Sequence, residues 1–540
     1  MKSTYAGMLF LVCLSVAGSA VADTPQQGWM SVYQDKATIL RNDDYWGESF
    51  DVNLPAGMEL EGQKQKRKKV HYQGTRSLLS SQLVQRLRGM GTPTNPGIIH
   101  TARMVAGISV AGSVLPDGSD LAGVFLQGWI ASFVPDVSLY AITYRSQRVN
   151  GTPTILSGLV VVPEHASGTE DPDAVLVYMH ATTTQENSAP SERSQEAYAV
   201  ITAFSNPHAV LAMPDYLGYG VSKGNHPYAM GQLNAPAGRG MIIATRELMK
   251  KLRRTVGNKI YITGYSEGGG NALWLTRYLE EKGEASLQPT RSAPMSGPYD
   301  LSGATAQSFI GDQPFVTYQE NFTSKPTLLS FSAVSTSRIT HQPLTALLQE
   351  PLAKQARGQF PGKLSEANLG VRLLTTAVND LAYFDLATGS PDPENLLQPG
   401  LVTAIRQHDL SNPAIRLWSK NDNLAWVPQS PVMLLGILQD ELVPFAASSY
   451  PVPDAWKSRK PAPEQAPYAE GNAENLIAAM RAQGIGAQRV GWTAFNGAVH
   501  VIFPKVIMSH ADGMLPCSIL AQSYFFTPAT AIPQLDDPLP

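Results

Sequence analysis

NKIYITGYSEGGGNALWLTRYLEE, residues 258–281, sets a serine between two segments of opposite character. Residues 259–265 are an apolar run rich in Ile, Tyr and Thr, without polar alternation, as in a strand buried on both faces of a parallel sheet. Residues 267–281 read as a helix. Ser266 therefore falls on the corner between them. Gly264 and Gly268 flank it, and without Cβ atoms they let strand and helix pack closely. In a chain with 45 glycines the Gly-x-Ser-x-Gly pattern is weak by itself, and its place on a strand-to-helix turn is what gives it weight. A serine presented there faces the partial positive charge of a helix N-terminus. The N–H of Glu267 is placed to donate to an oxyanion. The Glu267 side chain suits a first helical turn and is assigned no chemistry.

Outward from this corner, short apolar runs alternate with helical patterns. VSLYAITYRSQ and TILSGLVVVP flank the turn Asn150-Gly151 and read as a pair of strands. DAVLVYMH (173–180) and HAVLAMP (208–214) read as buried strands, and APAGRGMIIATRELMKKLRR (235–254) as a helix. Such alternation predicts an α/β fold with a mostly parallel central sheet and flanking helices. From about 303 to 425 the pattern turns helical, in PLTALLQEPLAKQ and GVRLLTTAVNDLAYF, which predicts a helical lid insertion. Strand character returns at PVMLLGILQDELVP (431–444) and QRVGWTAFNG (488–497). The expected organisation is a signal peptide at 1–22, an N-terminal extension at 23–137, a core at 138–302 and 426–540, and the insertion at 303–425.

The first 22 residues carry Lys2, the apolar stretch MLFLVCLSVAGSAV and the small-x-small site Ala20-Val21-Ala22, so export with cleavage before Asp23 is expected, to periplasm or medium. Cys13 follows Val12, where lipid attachment needs a small residue. Cleavage leaves Cys517 alone, which excludes an internal disulfide and a cysteine-rich zinc site. HExxH, EF-hand and P-loop motifs are absent from the sequence, and no cofactor or metal is expected. The net charge of −3 gives no support for a nucleic-acid partner, and no later segment has the apolar length of a transmembrane helix. The run KQKRKK (64–69) reads as a solvated loop, and the apolar segment 121–135 as a buried helix.

A serine hydroxyl needs a base, and the base an orienting acid. On this kind of sheet the chain order is serine, acid, histidine. Asp440 follows the apolar run LGILQD; Asp300 in SGPYDL is its rival, with a turn role as the plain alternative. Two histidines follow Asp440. His500, in a loop just after a strand, is expected to be the base. His510, in a helical segment, is read as a helix-surface residue. A second oxyanion donor is expected in HATTTQENSAPS (180–191), from the N–H of Ala181 or Thr182. His180 and Asp215 precede the serine and are read as loop-holding residues.

These segments resemble exported bacterial and fungal lipases and esterases of the α/β-hydrolase superfamily, the secretory lipases. YMHATTTQENSAPS is similar to their oxyanion loop, MPDYLGYG to their post-strand loop, GYSEGG to their nucleophile elbow, and LGILQDELVP and GAVH to their acid and base segments. The resemblance covers roughly 138–302 and 426–505. It implies Ser266 as nucleophile, Asp440 as acid and His500 as base. Ala181 stands where the family usually has glycine, and Ser188 where many relatives have cysteine. The implied activity is hydrolysis of a small-molecule or lipid carboxylic ester through an acyl-enzyme. A serine peptidase or acyltransferase on the same fold, or a non-catalytic binding protein, are the alternatives.

Overall fold

The central strands of the sheet have almost no exposed residues, and their side chains divide by parity between two cores. The computed structural model describes residues 47–53, 69–77, 137–163, 171–192, 194–222, 224–311, 319–385, 390–437, 440, 442–444, 471–484, 490–495, 510 and 513–526. The expected signal peptide, most of the basic run and the segment 121–135 lie outside these residues.

Among the described residues ten strands form one sheet: β1 (Gly47–Asn53), β2 (Lys69–Ser77), β3 (Val137–Gln147), β4 (Pro153–Pro163), β5 (Ala174–Met179), β6 (Ala209–Pro214), β7 (Lys259–Tyr265), β8 (Arg291–Met295), β9 (Val432–Ile437) and β10 (Val490–Phe495). Their spatial order is β1-β2-β3-β4-β6-β5-β7-β8-β9-β10. The strands from β6 to β10 in that order run parallel, and β1 to β4 pair antiparallel at the other side. The part of the chain before residue 137 thus contributes two strands to the sheet, which its sequence pattern did not announce. Lys69, at the end of the basic run, opens β2.

Period-two alternation explains the layering. Val175, Val177 and Met179 of β5 and Ile260 and Ile262 of β7 join one core. There they meet Met241, Ile242 and Leu248 of helix α2 (Gly231–Lys251) and Trp274 and Leu275 of helix α3 (Glu267–Lys282). Leu176 and Tyr178 of β5 and Tyr261 and Tyr265 of β7 face the other core. There they meet Val200, Ile201 and Phe204 of α1 (Gln195–Phe204) and Cys517, Ala521 and Phe525 of α10 (Met514–Phe526). The helices thus lie on both faces of the sheet, which is why its strands lack the alternation of a half-exposed sheet.

Between β8 and β9 the chain builds a helical insertion: α4 (Gln319–Thr340), α5 (Glu350–Ala356), α6 (Glu366–Asp380), α7 (Pro399–Gln407) and α8 (Pro413–Ser419). PLTALLQEPLAKQ, expected as one helical stretch, is divided into a turn at Leu344–Ala346 and α5, because Pro351 is tolerated only in a first turn. Ser365 caps α6, its hydroxyl accepting from the Asn368 N–H. Phe331, Leu352, Leu373, Ile405 and Trp418 form the insertion's own core, joined by Tyr228 and Met230 from the loop before α2. The insertion is thereby seated on that loop. Helix α9 (Asn472–Ala482) packs Leu476, Ile477 and Met480 against Leu273 of α3 and Val432 and Leu434 of β9.

Candidate active site

Ser266 lies where β7 ends and α3 begins, with φ 58° and ψ −124°. A residue with a Cβ is held there against the steric preference of L-residues, so the surrounding structure must impose the corner. The neighbouring glycines are part of that imposition. A Cβ on Gly268 would fall 2.0 Å from the Met179 carbonyl oxygen, and one on Gly264 2.3 Å from the Gly268 oxygen. The Ser266 N–H donates to Met295 O of β8 at 3.0 Å, and its carbonyl accepts from the Gly269 N–H at 2.8 Å. Glu267 is the first residue of α3, so its N–H has no intrahelical acceptor.

The Glu267 side chain does more than suit a first turn. It is buried, and its Oε1 lies 2.6 Å from Nε2 of buried His226. The same oxygen accepts from the Ala229 N–H at 3.0 Å. His226 Nδ1 lies 3.1 Å from the Leu217 carbonyl. With both ring nitrogens facing acceptors, the pair ties the segment before α2 to the residue after the serine. Nothing in the local sequence singles out this pairing across 41 positions.

Asp440 follows β9 and is fully buried. Its Oδ1 accepts from the N–H groups of Leu442 and Val443, at 3.2 and 2.8 Å. Both of its carboxylate oxygens lie 2.8 Å from Nδ1 of His510. His500 lies outside the described residues. The reading of His510 as a helix-surface residue is corrected. It is 5% exposed and sits on a turn before α10, where its carbonyl accepts from the Tyr265 hydroxyl at 2.5 Å. The rings of His510 and Tyr265 are 5.1 Å apart, so the residue preceding Ser266 is in contact with this histidine. Asp300 instead caps the turn after β8, accepting from the Gly303 and Ala304 N–H groups and from Asn475 Nδ2 at 2.7 Å.

The segment after β5 is held from several directions. The Ala181 N–H donates to Glu196 Oε1 at 2.8 Å, so it is engaged and the expectation that it points to the reaction centre is corrected. Among the described residues no acceptor takes the Thr182 N–H, and the Thr182 hydroxyl donates to Tyr228 Oη at 3.2 Å. The Thr183 hydroxyl and the Thr184 N–H both donate to Glu366 Oε1 of α6, at 2.8 and 3.1 Å. Tyr216 and Tyr219 hydroxyls donate to the carbonyls of His180 and Thr183. His180 is stacked on Tyr216 at 4.1 Å, with its ring nitrogens 2.7 Å from Ala181 O and 3.1 Å from Asp215 O. Burial lowers its pKa, opposed by the two carbonyl contacts, and the ring serves as a fixture of the loop. Asp215 also holds loops: it accepts from the Ser157 hydroxyl and from the Ser191 N–H and hydroxyl, at 2.5, 2.8 and 2.5 Å.

The corner of β7, the segment after β5 and Asp440 after β9 all stand at the carboxyl ends of parallel strands, the side of an open α/β sheet where sites form. Among the described residues no cluster of His, Cys, Asp and Glu fit to hold a metal is present.

No family model matches the chain, and no curated protein matches it in sequence. Solved structures do match in fold. A rice cell wall degrading esterase, LipA from Xanthomonas oryzae, superimposes with a TM-score of 0.57 at 23% identity, over 73% of this chain and 91% of that one. A protein of Legionella pneumophila designated a hydrolase gives 0.57 at 20% identity, over 80% and 95%. With a mostly parallel sheet, helices on both faces and a serine on a strand-to-helix corner, the chain has the α/β-hydrolase fold.

Proposed function

We propose that this protein is an exported serine hydrolase of carboxylic esters, with Ser266 as nucleophile, His510 as base and Asp440 as the acid that orients it. The observation that carries the reading is the Asp440–His510 pair, formed at the strand end beyond the corner that presents Ser266. Among the described residues His510 is the imidazole that engages this carboxylate, beside the Leu442 and Val443 N–H groups on Oδ1. His510 is therefore preferred to His500. The esterase among the structural relatives favours esters over amides as the substrate class.

The chemistry follows from the groups. With the Nδ1 proton of His510 directed at Asp440, Nε2 carries the lone pair that accepts the Ser266 proton. Ser266 Oγ attacks the ester carbonyl. The Glu267 N–H, at the head of α3, and the Thr182 N–H stabilise the oxyanion. His510 passes its proton to the departing alcohol, and Asp440 stabilises the imidazolium meanwhile. Water, deprotonated by His510, then cleaves the acyl-enzyme and releases the acid. The balance needs only ester and water, so no cofactor enters.

The test is turnover of p-nitrophenyl esters of graded acyl length beside aminoacyl amides, with Ser266→Ala as control and fluorophosphonate labelling mapped by mass spectrometry. Ester turnover lost in the variant, with the adduct on Ser266, supports the reading. Dominant amide turnover would make the protein a peptidase. An adduct on another serine would overturn the assignment of the site.

A further inference from the structure

We propose that Glu196 and Glu366 are positioning residues, two carboxylates that suspend the loop carrying Thr182 from opposite sides and so set the second oxyanion donor. The inference rests on the serine-hydrolase reading above. Its geometric basis is independent of it. Ala181, just before Thr182, gives its N–H to Glu196 at 2.8 Å. Thr183 and Thr184, just after, give a hydroxyl and an N–H to Glu366 at 2.8 and 3.1 Å. Thr182 is the one residue between the two anchors.

The anchors belong to different parts of the molecule. Glu196 is in the first turn of α1, on the sheet, behind the cap Ser194. Glu366 is in the first turn of α6, in the insertion, behind the cap Ser365. Carboxylates in first turns are stabilised by the helix N-terminus, which favours their charged form as acceptors. Bonds from N–H to an ionised carboxylate are stronger than neutral ones. Two such anchors restrict the intervening peptide, and oxyanion donors lose effect when displaced by a fraction of an ångström. Glu366 also makes the insertion a participant. Any substrate contact that shifts α6 is transmitted to Thr183 and Thr184.

Glu196 carries a pH signature. Burial raises its carboxyl to about 7, partly opposed by the bonds from Ala181 and Tyr178. The groups facing it are Tyr178 on β5, Tyr216 in the segment after β6, Glu366 on α6 and Glu267 on α3. Below about 7 it takes up a proton, the Ala181 bond loses its charge assistance, and the loop is held less firmly.

The experiment compares Glu196→Ala, Glu196→Gln and Glu366→Gln with the unmodified protein. Readouts are kcat and KM for a p-nitrophenyl ester over pH 5–9, and amide hydrogen exchange of the 180–186 peptide. Glu196→Ala should lower kcat about 10-fold while KM stays within about two-fold, as for a lost transition-state interaction. Glu196→Gln retains an acceptor, so it should recover kcat to within about three-fold and make the acid-side fall of kcat less steep, leaving the limb expected of a histidine base. Glu366→Gln should lower kcat by about two- to five-fold and raise exchange in the same peptide. Unchanged kcat in folded Glu196→Ala, or an acid-side fall of unchanged steepness in Glu196→Gln, would overturn the proposal. If the unmodified protein turns over no ester, the hydrolase reading fails, and exchange decides the anchors alone. Protection of 180–186 unaltered by all three variants would sink them, and its loss would sustain them.

Discussion

Asp440 holds Nδ1 of His510 between its two carboxylate oxygens, each at 2.8 Å, although 70 residues separate the two in sequence. The carboxylate has no exposure and the imidazole almost none, so the contact is shielded from water and salt. This pairing decides which histidine is proposed to serve Ser266.

It leads to an asymmetric result for the two histidines. His510→Ala should lower kcat by about 10³- to 10⁴-fold, and Asp440→Asn by a comparable factor through loss of the correct tautomer. His500→Ala should leave kcat within about three-fold. Steady-state ester kinetics on purified, folded variants check this. Loss of turnover in the His500 variant alone, with His510→Ala active, would reverse the assignment.

The Glu267–His226 pair predicts a stability effect beside the corner at Ser266. Both side chains are buried, and removing either leaves the other without its partner. His226→Ala should destabilise the fold by about 3–5 kcal/mol, the range for breaking a buried pair. Glu267→Gln, which keeps an acceptor for the Ala229 N–H, should cost less. Denaturant unfolding of both variants and the double mutant measures the coupling, and near-additive effects would refute a tight pair.

Gly268 tests the close approach at the elbow. A Cβ there would sit 2.0 Å from Met179 O and 2.7 Å from His180 O, both backbone atoms that cannot swing aside. Gly268→Ala should therefore destabilise by about 1–3 kcal/mol and lower kcat, because relief requires parting α3 from β5. Gly283→Ala, at the cap that ends the same helix, is a contrast. It meets no atom within 4 Å, and its only strain is its φ of +65°. Equal activities for the two variants would argue against crowding at the corner.

Asp422 supplies a pH prediction away from the site. It accepts from the Ser302 N–H and hydroxyl at 2.9 and 2.5 Å, and burial raises its carboxyl to about 7. In the unfolded chain the same group titrates near 3.9. The folded state therefore holds the extra proton between those values. The stabilisation is full below the lower value and is lost as pH rises through 7. Asp422→Asn should accordingly flatten the fall in melting temperature between pH 5 and pH 8. Parallel melting curves of variant and parent across that range would contradict the shift.

The sheet was readable because its signals are local. VLVYM and AVLAMP are apolar without interruption and KIYITGY is buried from its second residue on, and only a strand covered on both faces makes such runs stable between polar loops. Ser266 was readable for the same reason, since strand, glycine and helix signals meet at one position. The roles of Ala181 and His510 were not. The N–H of Ala181 is taken by a glutamate 15 residues away, and His510 draws its partner from across the sheet. The first strands before residue 137 were likewise silent in sequence, because an edge pairing is specified by the partner strand as much as by its own residues.

By itself the amino-acid sequence determined the alternation of strand and helix and the corner at Ser266, since backbone periodicity and glycine placement act over a few residues. Only the tertiary structure brought His510 to Asp440, showed that the Ala181 N–H after β5 is already engaged, and buried Glu267 against His226. Each of those depends on distances between segments remote in the chain, and burial, which makes such contacts strong, exists only once the layers have packed.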